Sequence, residues 1–179
     1  ILFGNRKFIN FGFSLLFMEI IFLGTGGGRI NLLKQLRATG GFRINSKTAA
    51  IHVDPGPGAL IHSLRLKQDV LKLDAIIVTH NHIDHVNDAG LLIEAMSGHT
   101  RKKGGIVIGS EYVIIGDRNG DRGVTKYHQS LAREICVAEI GNKKEFKTPR
   151  GEFEIEFIRT EHDDESCFGF KLYIEGKVI

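Results

Sequence analysis

Six consecutive residues, His80-Asn81-His82-Ile83-Asp84-His85, bring three of the chain's eight histidines together with an aspartate. Imidazole nitrogens and a carboxylate with no cysteine among them suit zinc, iron or manganese. In an extended segment, residues two apart point the same way, so His80 and His82 can converge on one ion. Asp84 and His85 fall where the chain turns and can face a second ion. A plainer reading makes Asp84 the N-cap of a helix starting near Val86. That reading leaves four ligand-type residues at ligand spacing without a reason.

The cluster needs a rigid support, and the residues before it supply one. Leu73-Asp74-Ala75-Ile76-Ile77-Val78-Thr79 reads as a buried strand that delivers the histidines at its end. Upstream, Met18 to Gly24 is a first strand, followed by the tight turn Gly24-Thr25-Gly26-Gly27-Gly28-Arg29. Arg29 stands where a dinucleotide-binding G-x-G-x-x-G needs its last glycine, so the turn is read as a place of close backbone approach. Strands are predicted over 41–44 and 49–54, the second ending in Asp54-Pro55-Gly56-Pro57-Gly58, which launches a helix over 59–67. A helix over 88–96, a strand over 105–109, a loop over 116–123, and strands over 135–138, 152–157 and 168–174 complete the walk. The basic run Arg101-Lys102-Lys103 reads as a solvated loop.

The chain has 179 residues, 42% hydrophobic and 25% charged, as expected for one ordinary globular domain. A net charge of +3 permits an anionic substrate without arguing for nucleic acid. The two cysteines, Cys136 and Cys167, form no ligand or redox motif, so a reducing cytoplasm is expected. Residues 1–17 are apolar with Arg6-Lys7 near the front and superficially resemble a signal peptide. No small-residue cleavage site follows, and Glu19 interrupts the run before the ~20 residues a membrane span needs. Met18 is read as a start, with 1–17 an upstream extension outside the fold and 18–179 one domain; the alternative is a genuine N-terminal extension or anchor.

These residues carry a resemblance. The H-x-H-x-D-H segment at 80–85, Asp54 at a strand end before glycines, Phe22-Leu23-Gly24-Thr25-Gly26, and His162 ahead of Cys167-Phe168-Gly169-Phe170 together resemble the metallo-β-lactamase-fold hydrolases, specifically their ribonuclease Z-like branch. The resemblance spans about residues 18–179 and implies an α/β fold, a four-layer αββα sandwich with the site at one edge of two sheets, incomplete at its C-terminus. It implies two divalent ions, zinc first, with manganese or iron as alternatives. His80, His82 and His162 would hold one ion. Asp84 and His85 would share the other with a bridging aspartate and a final histidine expected beyond Ile179. Glutamate in place of His82 would mark the oxygen-reducing diiron members. The proline that usually follows the signature in ribonuclease Z is absent from Val86-Asn87-Asp88-Ala89-Gly90-Leu91-Leu92, and no tRNA-binding arm is visible, so the chain looks like a less characterised prokaryotic subgroup.

The implied chemistry is hydrolysis by hydroxide formed on a metal pair, which lowers the pKa of water from about 15.7 towards about 7. Asp84 would be the catalytic carboxylate, orienting or deprotonating the nucleophile. Asp54 would support a ligand loop through hydrogen bonds, as bound histidines require. His128 rivals His162 as a ligand, whereas His52, His62 and His99 read as structural or exposed. A phosphodiesterase acting on RNA or a small anionic phosphodiester is the first reading. A hydrolase of esters, lactones or thioesters is the second, and a non-catalytic metal-binding protein or inactive fragment the third. No membrane partner is expected, there is room for a homodimer, and the sheets are expected to leave apolar surface uncovered.

Overall fold

In a computed structural model, residues 18–179 are described. The expected extension over 1–17 lies outside them. A six-stranded sheet runs in the order β1 (Glu19–Phe22), β2 (Phe42–Asn45), β3 (Ala50–Val53), β4 (Ala75–Val78), β5 (Gly104–Gly109) and β6 (Ala132–Val137). The first three strands are antiparallel neighbours, and β3 to β6 are parallel. The helices α1 (Arg29–Lys34), α2 (Ala59–Arg65), α3 (Ile83–Val86), α4 (Ala89–Met96), α5 (Glu111–Ile114) and α6 (Lys126–Leu131) fall in the connections. An antiparallel sheet of β7 (Lys143–Thr148), β8 (Gly151–Arg159), β9 (Phe168–Ile174) and β10 (Lys177–Val178) closes the sandwich.

The continuous apolar run of β4 is explained by burial on both faces. Ala75 and Ile77 join Ile51, Ile108, Phe153, Ile155 and Phe168 between the two sheets. Ile76 and Val78 face the other way, onto Leu92, Ile93 and Val113 of the helical layer. β8 is buried on one face only. Phe153, Ile155 and Phe157 point inward, while Glu154 and Glu156 point outward and pair with Lys143 and Lys171.

The described residues supply three layers of the expected αββα sandwich: helices, six-stranded sheet and four-stranded sheet. The outer face of the second sheet differs from expectation. The uncovered sheet surface is charged rather than apolar, because the alternation in β7 and β8 sends lysine and glutamate outward. Of the large exposed apolar residues, Ile158 and Val178 lie on this sheet, whereas Leu33 and Leu36 near α1 and Ile61 and Leu64 on α2 lie elsewhere. No helix among the described residues is long and apolar enough to cross a membrane.

Two further expectations are corrected. The first helix after the histidine cluster starts at Ile83 rather than near Val86, with His82 in the N-cap position, so the alternative reading of Asp84 as a cap, already disfavoured, does not hold. β7, with only Phe146 buried, carried too few apolar residues to be read as a strand.

His52 on β3 is fully buried, and its Nε2 lies 3.0 Å from the Gly40 carbonyl, which it can reach only as the N–H donor. Burial pushes this imidazole down to about 4. Its neutral form therefore contributes stability above the unfolded value near 6.5, and that contribution is lost as pH falls towards 4. A full shift of this size corresponds to about 3 kcal/mol. Urea unfolding at pH 7 and pH 4.5 should show a smaller acid loss for His52→Gln than for the parent; equal losses would refute the assignment.

Candidate metal centre

The site stands outside the carboxyl ends of the parallel strands, where such sheets ordinarily bind ligands. β3 ends at Val53 and presents Asp54, β4 ends at Val78 and presents Thr79 and His80, and β8 ends at Arg159 just before His162. Asp54 has φ 50°, a left-handed conformation that aspartate tolerates better than most residues. Its carboxylate Oδ1 accepts the Thr79 N–H at 2.8 Å. The Thr79 hydroxyl lies 3.0 and 2.9 Å from the two carboxylate oxygens and 3.0 Å from His80 Nδ1.

A hydroxyl has one proton. If Thr79 donates it to Asp54, it can only accept from His80, which fixes the proton on Nδ1. His80 Nε2 is then a bare acceptor, and this atom is buried without a hydrogen-bond partner. Burial, with the neighbouring histidines, pushes His80 down to about 4, so the ring is neutral at pH 7. A neutral imidazole with a buried lone pair and a fixed tautomer is what a metal ligand requires.

His80, His82 and His162 each place a ring nitrogen within 4.8 Å of the others. Their ring centroids are separated by 4.8 Å for His80–His82, 4.3 Å for His80–His162 and 5.0 Å for His82–His162. The chemistry of these donors fits a divalent cation. His128, the rival, is elsewhere: its Nδ1 lies 2.9 Å from Thr125 Oγ1 and its Nε2 3.5 Å from Glu94, between α6 and α4.

Asp84 and His85 form an adjoining pair. His85 Nε2 lies 3.6 Å from Asp84 Oδ2, and its Nδ1 lies 3.0 Å from Asp54 Oδ2, though off the line of an ideal hydrogen bond. Burial opposes charge on His85, but Asp54 and Asp84 outweigh it and raise its pKa. Burial likewise opposes ionisation of Asp84. The Gly28 N–H, donating to Oδ2 at 2.7 Å, and the nearby His85 reverse that and hold the carboxyl below its usual range. The glycine turn thus brings its backbone to a candidate ligand.

Several supporting residues escaped the sequence reading. Asp164 accepts the Asn81 N–H at 2.9 Å on one oxygen and the Ser166 N–H and hydroxyl at 2.8 and 2.7 Å on the other, tying the His162 loop to the His80 loop. His162 Nδ1 takes the Asp164 N–H at 3.0 Å and lies 2.9 Å from Asp163 Oδ1. Because Nδ1 accepts that N–H, the neutral ring carries its proton on Nε2; holding a cation through Nε2 would require the proton to move to Nδ1 and be donated to Asp163 in place of the bond from Asp164. The acidic run after His162 was the available signal, but it reads equally well as solvated loop. Gly56 supports the cluster by having no side chain: a Cβ there would collide with the carbonyl oxygens of Asp84 and Thr39.

Three nitrogens converge at one point, whereas Asp84 and His85 supply only two groups at the other. The 179-residue chain should therefore bind one zinc ion tightly, which elemental analysis after dialysis can check; two tightly held ions would contradict this. His162→Ala should weaken zinc binding by more than the roughly 100-fold that marks the upper range for supporting residues, while His128→Ala leaves it unchanged. The reverse pattern in a zinc titration would exchange their roles. Gly56→Ala should weaken zinc binding about 10-fold or more by displacing the Asp84 turn; parent-like affinity would show that the close approach does not matter.

The family described as "Beta-lactamase superfamily domain" matches residues 49–179. An uncharacterised protein of Methanocaldococcus jannaschii is 39% identical over 155 residues, covering 87% of this chain and 57% of that protein. The ribonuclease Z of Thermococcus onnurineus is 29% identical over 149 residues, covering 81% of this chain and 44% of the relative. The chain thus spans about half the length of these curated relatives. The crystal structure of the metallo-beta-lactamase fold protein YhfI from Bacillus subtilis superposes with a TM-score of 0.61 at 24% identity, covering 87% of this chain and 57% of that one, a likeness of fold. The chain belongs to the beta-lactamase superfamily, in its metallo-β-lactamase-fold form, with relatives in the ribonuclease Z-like branch.

Proposed function

We propose that the protein is a metal-dependent hydrolase that cleaves phosphodiesters, and that zinc is its metal. The observation that carries the reading is the buried, unpartnered Nε2 of His80 facing His82 and His162. Ribonuclease Z relatives support the phosphodiester as substrate class. His80, His82 and His162 would hold one cation, and Asp84 with His85 would contribute to a second. Divalent cations there would supply Lewis acidity and a hydroxide nucleophile at neutral pH.

The chain's own residues hold the rest in place. Asp84, with Oδ2 anchored by Gly28, is the catalytic carboxylate in this reading and orients the nucleophile. Asp54 fixes the His80 tautomer through Thr79 and supports His85 directly. The site opens into a cleft of about 610 Å³ that includes Arg29, Ile83 and Asp163 in its lining, within the size range of small-ligand sites. The free thiols of Cys136 and Cys167 fit a reducing, cytoplasmic setting.

The zinc-loaded protein should hydrolyse bis(p-nitrophenyl) phosphate. Asp84→Asn should lower kcat by about 100-fold or more, in the range of lost acid–base assistance. Turnover of lactones or thioesters with none of the phosphodiester would overturn this reading.

A further inference from the structure

The basic run Arg101-Lys102-Lys103 has no part in the histidine site. It lies after α4, at the amino ends of the parallel strands, whereas the histidines lie at the carboxyl ends. Asp74 and His80 flank β4 six residues apart, so the two ends of the sheet are separated by about 20 Å at 3.3 Å per residue.

At this far end a second cavity of about 370 Å³ opens. Four separate segments bring five cations to its wall: Lys72, Lys102, Lys103, Arg133 and Arg150. Asp74 is its one acidic lining residue. Three of the cations are held in place by neighbours. Lys72 pairs with Asp69 at 3.3 Å, Arg133 donates to the Lys147 carbonyl, and Arg150 pairs with Asp74. Asp74 is itself anchored, accepting the Ala50 N–H at 2.8 Å. Lys102 and Lys103 are exposed and have no ion-pair partner among the described residues.

The rest of the lining is apolar. Leu71, Leu73, Met96 and Pro149 contribute to the same cavity. Cations of one sign around a low-dielectric cleft concentrate anions, and apolar walls favour a ligand with a flat apolar body. Inorganic phosphate would use only the first property, and an unphosphorylated nucleoside only the second.

We propose that this cavity binds a nucleoside phosphate, with the base against Leu71, Leu73 and Met96 and the phosphate among Lys102, Lys103 and Arg133. The site is separate from the hydrolytic one and does not depend on the proposed activity.

Calorimetric titration of the metal-free 179-residue chain in EDTA with AMP, adenosine, inorganic phosphate and a short oligoribonucleotide tests this. AMP should saturate at one per chain, with adenosine and phosphate each binding about tenfold more weakly or worse. Lys102→Glu/Lys103→Glu should weaken AMP binding about tenfold or more, as expected for losing charge-assisted contacts, with an unchanged thermal unfolding curve. His80→Ala/His82→Ala should bind AMP as the parent does. The proposal is overturned if AMP binds no better than phosphate, if the lysine variant binds normally, if the histidine variant loses binding, or if only the oligoribonucleotide binds.

Discussion

The Asp54 carboxylate is the interaction on which the site depends. It accepts the Thr79 N–H and hydroxyl and lies against His85 Nδ1, linking the ends of β3 and β4 to the helix α3. An ionised carboxylate in a partly buried position needs such donors to offset its lost hydration. Meeting that need also fixes the proton of His80 on Nδ1 and leaves Nε2 bare. The local demand of one partly buried carboxylate thereby becomes a directional property of a ring one residue beyond Thr79.

The sheets supply the rigidity that this arrangement requires. β4 is buried on both faces, so Thr79 and His80 follow a strand that cannot shift without opening two cores. The His162 loop comes from the opposite sheet, and Asp164 fastens it to the backbone of Asn81. The three imidazoles thus meet across the sandwich, and the packing between Ile77, Ile108 and Phe168 sets their separation. Metal-site ligands held by packed elements rather than free loops lose less entropy on binding.

Much of this was legible in the sequence for a physical reason. Alternation in Glu152 to Phe157 and continuity in Ala75 to Val78 follow from one-sided and two-sided burial, so β8 and β4 could be read directly. The four ligand-type residues after β4 pointed to the candidate site. What escaped was held by tertiary contact. β7 buries only Phe146 and exists because β8 pairs with it. Short α1 and α5 have too few residues for a periodic pattern. Asp164, Thr79 and Gly28 act through hydrogen bonds to residues distant in sequence or to backbone, which composition does not reveal. Asp84 was open to reading as a cap because a carboxylate in the first turn of a helix has the same sequence signature whether it serves the helix or a ligand site.

The most direct test is the zinc affinity of Asp54→Ala, measured by competition with a chelator of known affinity. Asp54 touches Thr79, which holds His80, and the candidate ligand His85 without being a ligand itself, so its loss should weaken zinc binding by about 10–100-fold while far-UV circular dichroism stays that of the folded parent. Zinc affinity equal to the parent's in a folded Asp54→Ala protein would contradict the account, because the histidine nitrogens would then be organised without the carboxylate that is argued to organise them.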